Sequence, residues 1–238
     1  MSERFFRTAR ASKIVQTLTT KAVLERNLIH DGDRILIAAS GGKDSTVLAW
    51  ALSTIRPALK VQYKLAALHI SSDFCACCKK AALASRLETW GISFTDHFVP
   101  IIGRLKPGEK MNCYWCSTQR RTELLRYAVD NGFNRIALGH HLDDIIETFF
   151  MNLLSKGSLS TMPVEVAYQK FPVTLIRPLF YLEETQIIAC AAEQDILKGV
   201  CTCPFGINSQ RKEIRERIAA FTGHSGAVKR RILRAINV

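Results

Sequence analysis

Residues 34–45 read Arg-Ile-Leu-Ile-Ala-Ala-Ser-Gly-Gly-Lys-Asp-Ser. The short apolar run Arg34–Ala39 predicts a strand buried on both faces. A helix follows from about Ser45 to Ile55, stopped by Pro57. Between them, Gly41 and Gly42 let the backbone approach a bound group closely, and the amides of the loop and helix start point toward an anion. Ser40 and Ser45 add hydroxyl donors, and Lys43 adds positive charge. Ile37 stands where the GxxxxGK[ST] phosphate loop requires its first glycine, so that common motif is excluded.

On either side of this turn the chain alternates helical and extended patterns. Ile14, Val15, Leu18, Ala22, Val23 and Leu28 recur at helical spacing in residues 11–29. Further strands are predicted at Lys64–Ile70, Ser93–Val99, Arg135–Leu138 and Val173–Ile176. Helices are predicted at Lys80–Trp90, Ser117–Asp130, Asp143–Leu154 and Glu183–Ile196. The alternation predicts an α/β fold, a parallel five-stranded sheet with helices on both faces and right-handed crossovers. Ligands in such sheets gather at the carboxyl ends of the strands, where the motifs below fall. Residues 155–172 read as a long Ser/Gly/Pro-bearing loop. From Asn208 the tail reads as two basic helical pieces broken at Thr222–Gly226. The expected organisation is a basic helix over 1–30, a nucleotide domain over 31–205 and a basic helical tail over 206–238.

The 238 residues carry 33 Lys and Arg against 21 Asp and Glu, a net charge of +12, and 47% hydrophobic residues. That composition excludes disordered, collagenous and disulfide-scaffold classes. The charge sits at the ends: residues 1–30 hold six basic and two acidic residues, and residues 211–238 hold eight and two. Basic ends on a near-neutral body fit a polyanion such as RNA; a solvated basic surface is the plainer reading. No apolar stretch approaches the ~18–20 residues of a membrane span, and no secretory signal opens the chain, so a cytoplasmic protein is expected. Its eight cysteines are then expected to be reduced. They cluster as Cys75/Cys77/Cys78, Cys113/Cys116 and Cys201/Cys203, with Cys190 alone, a pattern of metal or sulfur chemistry.

Two further motifs carry chemistry. Leu138-Gly139-His140-His141-Leu142-Asp143-Asp144, with Glu147 one turn on, brings acids opposite the glycine turn, where they can hold Mg²⁺ against a polyphosphate. Cys113-Tyr114-Trp115-Cys116 precedes a helix bearing Arg120 and Arg121. A CxxC pair has three readings: a redox pair, half a zinc site, or part of an iron–sulfur site.

Ser40–Ser45 resembles the PP-loop, SGGxDS, of ATP pyrophosphatases, which cleave ATP between the α- and β-phosphates. In order, SGGKDS, CxxC, GHHLDD, Lys156–Pro163, Arg177-Pro178-Leu179 and Cys201-Thr-Cys203-Pro204 resemble the TtcA/TtuA family of tRNA 2-thiolation enzymes over roughly residues 10–210, closest to the TtcA branch. The chain departs from that pattern in its CxC at the later site and in Cys75-Ala-Cys77-Cys78.

The resemblance implies ATP, Mg²⁺ and a [4Fe–4S] cluster held by three thiolates: Cys113, Cys116 and Cys203, with Cys201 competing for the third place. It implies ATP binding by Ser40, Gly41, Gly42, Lys43, Asp44, Ser45, Leu68, Ile70, Gly139 and His140, and catalytic roles for Lys43, Asp44, Asp143 and Asp144. The substrate would be tRNA, with cytidine 32 preferred over a thiouridine target, bound along Arg211, Lys212, Arg215, Lys229, Arg230, Arg231 and Arg234. A target base unstacked from an anticodon loop would meet Tyr114 and Trp115 as stacking or cluster-shielding residues. A sulfur donor, a cysteine desulfurase or sulfide carrier, is implied, and dimers occur in the family. Two alternatives remain from the residues themselves: a PP-loop tRNA-modifying ligase with a structural zinc site, and a non-catalytic RNA-binding protein.

Overall fold

A computed structural model describes residues 10–74, 80–196 and 210–236. Helix α1 (Ala11–Glu25) precedes β1 (Asp33–Ala38), α2 (Lys43–Thr54), a 3₁₀ turn (Arg56–Ala58) and β2 (Tyr63–Ser72). Then come α3 (Lys80–Thr89), β3 (Ser93–Val99), α4 (Cys113–Asp130), β4 (Arg135–Ala137) and α5 (Leu142–Lys156). The chain continues with β5 (Glu165–Ala167), β6 (Thr174–Ile176), α6 (Glu184–Glu193), α7 (Gln210–Thr222) and α8 (Gly226–Ala235).

The sheet order is β3-β2-β1-β4-β6-β5, parallel except for β5, which runs antiparallel to β6. The sequence predicts five strands; the sixth lies inside the stretch read as a loop. β5 is only three residues long, and its Glu165 and Ala167 are exposed. It therefore has no period-2 apolar pattern and exists by pairing with β6. After β3 the chain returns to the other side of β1, so β1 and β4 flank a topological switch point, where doubly wound sheets open a crevice.

β1 shows why its residues are apolar throughout. Ile35 and Ile37 enter one core with α1, α2, α5 and α6, while Leu36 enters a second core under α4. The larger core receives Val15, Leu18, Val47, Leu52, Ile145 and Ile187, and the tail helices add Ile218 and Leu233. The second face is covered chiefly by Leu124, Leu125 and Ala128 of α4. At the amino ends of the strands, buried Arg135 donates to Asp33 and to Glu165 at 3.1 Å, and Asn134 Nδ2 donates to Asp33 Oδ1 at 2.7 Å. This clamp joins β1 to β4 on the side away from the crevice. Among the described residues, no helix is long and apolar enough to cross a membrane.

Candidate active site

The parallel register brings Ala38 beside Leu68, and Ile37 beside Ala137. The loops after β1 and β4 therefore emerge together. The first turns sharply at Gly41, whose φ of 79° lies in the left-handed region. Gly42 is the N-cap of α2 and offers no capping side chain, so the first amides of that helix remain available to an anion. Ser40 and Ser45 are tied to each other, Oγ to Oγ at 3.0 Å, and Ser45 and Thr46 donate to the Gly42 carbonyl. These bonds hold the loop open as a cradle.

Gly139 explains itself by distance. A Cβ there would stand 2.9 Å from the Asp44 carbonyl carbon and the Ser45 nitrogen. Its absent side chain lets the end of β4 lie against the cradle backbone. His140 accepts from Arg177 Nε at 3.2 Å, and Arg177 also donates to the Pro163 carbonyl, tying the 157–164 loop to the crevice. Burial, reinforced by the charge of Arg121, lowers the Arg177 pKa to about 10. Arg177, quoted above only as part of a family motif, thus has a defined structural task.

His141 is buried among three acids. Its Nε2 lies 3.4 Å from Asp144 Oδ2 and 3.9 Å from Asp44 Oδ1, and its Nδ1 lies 3.5 Å from Asp143 Oδ2. Burial opposes its protonation, but Asp143 and the charges of Asp144 and Asp44 outweigh burial and raise its pKa. Asp144 Oδ2 also accepts from the His141 amide at 3.1 Å, starting α5. Asp44 Oδ1 is shielded from solvent and accepts no hydrogen bond, with Lys43 Nζ at 3.2 Å.

Asp143, grouped with Asp144 in the sequence, shares His141 with it but also reaches the tail. Its Oδ1 accepts from Lys229 Nζ at 2.6 Å and its Oδ2 from the Glu184 amide at 2.7 Å. Burial alone would raise its pKa; these donors and His141 hold it well below the ordinary carboxylate range. Lys43 Nζ donates to Glu184 Oε1 at 2.9 Å. Burial pulls the Lys43 pKa down, yet Glu184 and Asp44 outweigh it and raise it. Glu184 was not singled out from the sequence, although an acid in the first turn of a helix that follows a strand is the same signal that marks Asp143 and Asp144.

Cys113 and Cys116 form the first turn of α4, rather than preceding it. Asn112 Oδ1 accepts from the Trp115 amide at 2.8 Å and starts the helix at Cys113. The pair stands one helical turn apart on α4. Trp115 donates its indole N–H to the Ile101 carbonyl and packs on the second core, whereas Tyr114 is 82% exposed. Just past Cys116, Ser117, Arg120 and Arg121 form one wall of a cleft of about 240 Å³. Ala38, Ser40, Leu68, Ile70 and Leu138 form the other. Leu68 and Ile70 thus stand in the same cleft as Ser40. Cys75, Cys77, Cys78, Cys201 and Cys203 lie outside the described residues, within which no group of three metal-ligating side chains occurs.

The cations expected to meet RNA divide into two sets. Arg231 and Arg234 are exposed on α8, and Arg211 and Lys212 fall on the first turn of α7. Arg215, Lys229 and Arg230 instead meet acids of α5 and the α6 start: Glu147 at 2.6 Å, Asp143 at 2.6 Å and Glu183 at 2.5 Å. Sequence reasoning missed this because the partners lie 68, 86 and 47 positions apart.

A family model described as a PP-loop domain matches residues 10–218. The chain is 36% identical over 222 residues to the tRNA-cytidine(32) 2-sulfurtransferase of Geobacter metallireducens, covering 91% of this chain and 86% of that protein. The protein of the same name from Dichelobacter nodosus is 33% identical over 218 residues, covering 88% and 79%. Among solved structures, the U34-tRNA thiolase NcsA from Methanococcus maripaludis, with its [4Fe-4S] cluster, superposes with a TM-score of 0.78 at 21% identity, covering 94% of this chain and 77% of that one. NMN synthetase from Francisella tularensis shares the fold more distantly, with a TM-score of 0.55 at 16% identity, covering 95% and 90%. With a PP-loop match over most of its length and this identity across nearly whole chains, the protein belongs to the PP-loop family, in the branch of the tRNA-cytidine(32) 2-sulfurtransferases.

Proposed function

We propose that this chain is an ATP-dependent tRNA sulfurtransferase that adenylates the C2 oxygen of a pyrimidine, cytidine 32, and replaces that oxygen with sulfur. One observation carries the reading. Ser40, where the glycine cradle begins, and Ser117, Arg120 and Arg121 of α4, which follow directly on the turn bearing Cys113 and Cys116, line a single cleft. The names of the relatives support the substrate.

The C2 oxygen of a pyrimidine is a poor leaving group. Its attack on the α-phosphorus of ATP forms a C2–O–P bond and breaks the bond to pyrophosphate. The cradle amides and Lys43 offset the negative charge that builds on the departing pyrophosphate. A sulfur nucleophile then adds at C2 and AMP leaves with the original oxygen. Lys43 must part from Glu184 to meet the phosphates, whose negative charge then takes the place of Glu184 in favouring the ammonium.

The donors fit the groups this chemistry uses. Asp44 and Asp144, both facing His141, would hold Mg²⁺, with Asp44 Oδ1 free of hydrogen bonds; the ion would neutralise phosphate charge. Asp143 is engaged by Lys229 and Glu184, so it orients the site. Cys113 and Cys116, with Cys203 or Cys201 as third thiolate, would hold a [4Fe–4S] cluster. With three protein ligands such a cluster supplies an open iron position for sulfide. Leu68 and Ile70 give the adenine an apolar bed, and the exposed Tyr114 is placed to stack on a base. Arg231 and Arg234, with Arg211 and Lys212, track tRNA phosphates. A cysteine desulfurase or sulfide carrier delivers the sulfur.

The test is the 2-thiocytidine content of tRNA from cells lacking the gene. It is expected to vanish, to return with the wild-type gene and to stay absent with Lys43→Ala. Unchanged 2-thiocytidine in the deletion strain overturns the reading.

A further inference from the structure

The strongest feature outside the cleft is the seam between the tail helices and the starts of α5 and α6. Glu184 stands at its centre. One carboxylate oxygen accepts from Lys43 Nζ at 2.9 Å, the other lies 3.6 Å from Arg215 Nη1, and its amide donates to Asp143. Arg215 Nε donates to Glu147 Oε1 at 2.6 Å; Glu147 is 2% exposed. Lys229 and Asp143 are nearly as enclosed, with side chains 15% and 12% exposed. Arg230 pairs with Glu183, and a Cβ at Gly226 would fall 2.0 Å from Glu183 Oε1, so the start of α8 sits directly on this carboxylate. A cavity of about 200 Å³ lies behind these pairs, lined by Glu147, Glu184, Arg215, Ile218 and Lys229.

Surface ion pairs contribute little, but enclosed and shared ones fix geometry, because breaking one leaves an unpaired charge out of water. Here the contacts run from the phosphate cradle to the tail: the charges of Lys43, Glu184, Arg215 and Glu147 on one line, and on the other the Glu184 amide to Asp143 and Asp143 to Lys229. When Lys43 turns to a polyphosphate, Glu184 loses its hydrogen-bonded cation. Arg215 is already at 3.6 Å to take its place.

We infer that Arg215 and Lys229 are positioning residues of the nucleotide site: they hold Glu184 and Asp143 so that Lys43 can pass from Glu184 to ATP, and ATP binding in return tightens the tail. This rests on the nucleotide reading above and extends it to residues that the basic composition of the tail had pointed toward RNA. Linkage is reciprocal: if Arg215 receives Glu184 when ATP arrives, then ATP must stabilise α7 and α8 against opening.

The test measures ATP affinity by equilibrium dialysis, together with amide hydrogen exchange over residues 213–235, with and without ATP. It uses the full chain and Arg215→Met, Lys229→Met and Lys229→Arg. In the wild type, ATP is expected to slow exchange in α7 and α8. Arg215→Met and Lys229→Met are expected to weaken ATP binding about tenfold, within the ordinary range of coupling between sites, and to abolish that protection. Lys229→Arg keeps the charge and is expected to restore most of the affinity, and a melting temperature unchanged in Arg215→Met while its ATP affinity falls separates positioning from mere tail folding. The Arg215 side chain is half exposed, so Arg215→Met remains readable should Lys229→Met fail to fold. ATP affinities within twofold of wild type in the methionine variants overturn the inference. So does a loss of tRNA affinity and of about one unit of salt slope per residue with ATP binding intact, the signature of phosphate contacts. A wild-type protein that binds no ATP overturns the nucleotide reading itself, a separate outcome.

Discussion

Replacing Gly139 by Ala tests whether the cradle and the end of β4 are a single fitted unit. The added Cβ would meet the Asp44 carbonyl carbon and the Ser45 nitrogen at 2.9 Å and the Asp44 oxygen at 3.0 Å. Ordinary contact begins at 3.4 Å, so the two backbones must part by about 0.5 Å. Neither side yields easily. Leu138 N is bonded to the Ile176 carbonyl at 2.9 Å, and the Asp44–Ser45 peptide is the first turn of α2, packed through Val47 and Leu48. Overpacking of this kind costs about 1–3 kcal/mol. At roughly 2–4 °C per kcal/mol for a chain of this size, the melting temperature should fall by about 2–12 °C. The functional loss should be larger in proportion. A 1 Å misplacement in a reaction site costs about 100-fold in rate, so half that shift predicts roughly tenfold slower tRNA-dependent pyrophosphate release. Differential scanning calorimetry and a coupled pyrophosphate assay read the two effects. A Gly139→Ala protein that melts within 1 °C of wild type and turns over at the wild-type rate refutes the close-approach argument.

The clamp at the opposite end of the sheet should behave differently. Asp33→Ala strands a buried Arg135 with only the half-exposed Glu165 as its acid, and should cost about 3 kcal/mol while leaving ATP affinity unchanged, as denaturant titration and equilibrium dialysis would show. Cys190 is fully buried, and burial, aided by Glu193, pushes its thiol up to about 12; mass spectrometry after iodoacetamide treatment at pH 8 should find it unmodified until the protein unfolds. Acid should loosen the tail. Asp143 and Glu184 are held below their ordinary values of 3.8 and 4.5, so their stabilisation is present above that range and is lost as pH falls through their depressed folded values. With exchange corrected for its slower intrinsic rate in acid, protection of α7 and α8 should therefore fall ahead of that of the central strands as pH is lowered from 5, and a uniform loss would contradict the seam.

Local signals carried far in this chain. Ile35, Leu36 and Ile37 must each find a core on one face of the sheet or the other, and the glycine pair can follow only a turn, so strand, cradle and helix were readable together. The early start of α4 was within reach too, because Asn112 is a strong N-cap residue three positions before Trp115. β5 was not readable: three residues with one half-buried side chain leave no periodicity, and β5 owes its extended state to hydrogen bonds with β6. The separate partners of the sequence neighbours Asp143 and Asp144 were not readable either. Successive helix positions point about 100° apart, so both carboxylates reach His141, from Nε2 and Nδ1, but only Asp143 also meets Lys229 of the tail.

The amino-acid order alone determined the class of fold, the glycine turn at Ser40–Ser45 and the family likeness, because each is built from short local patterns taken in their order along the chain. Tertiary structure alone decided which cation meets which acid. Arg215 and Lys229 look like any basic residues of a positively charged tail until α7 and α8 pack on α5 through Ile218 and Leu233. Apolar burial, which has no direction, sets those helices down. The charges they carry then pair across 68 and 86 positions of chain, a choice governed by distance in space and invisible to spacing in sequence.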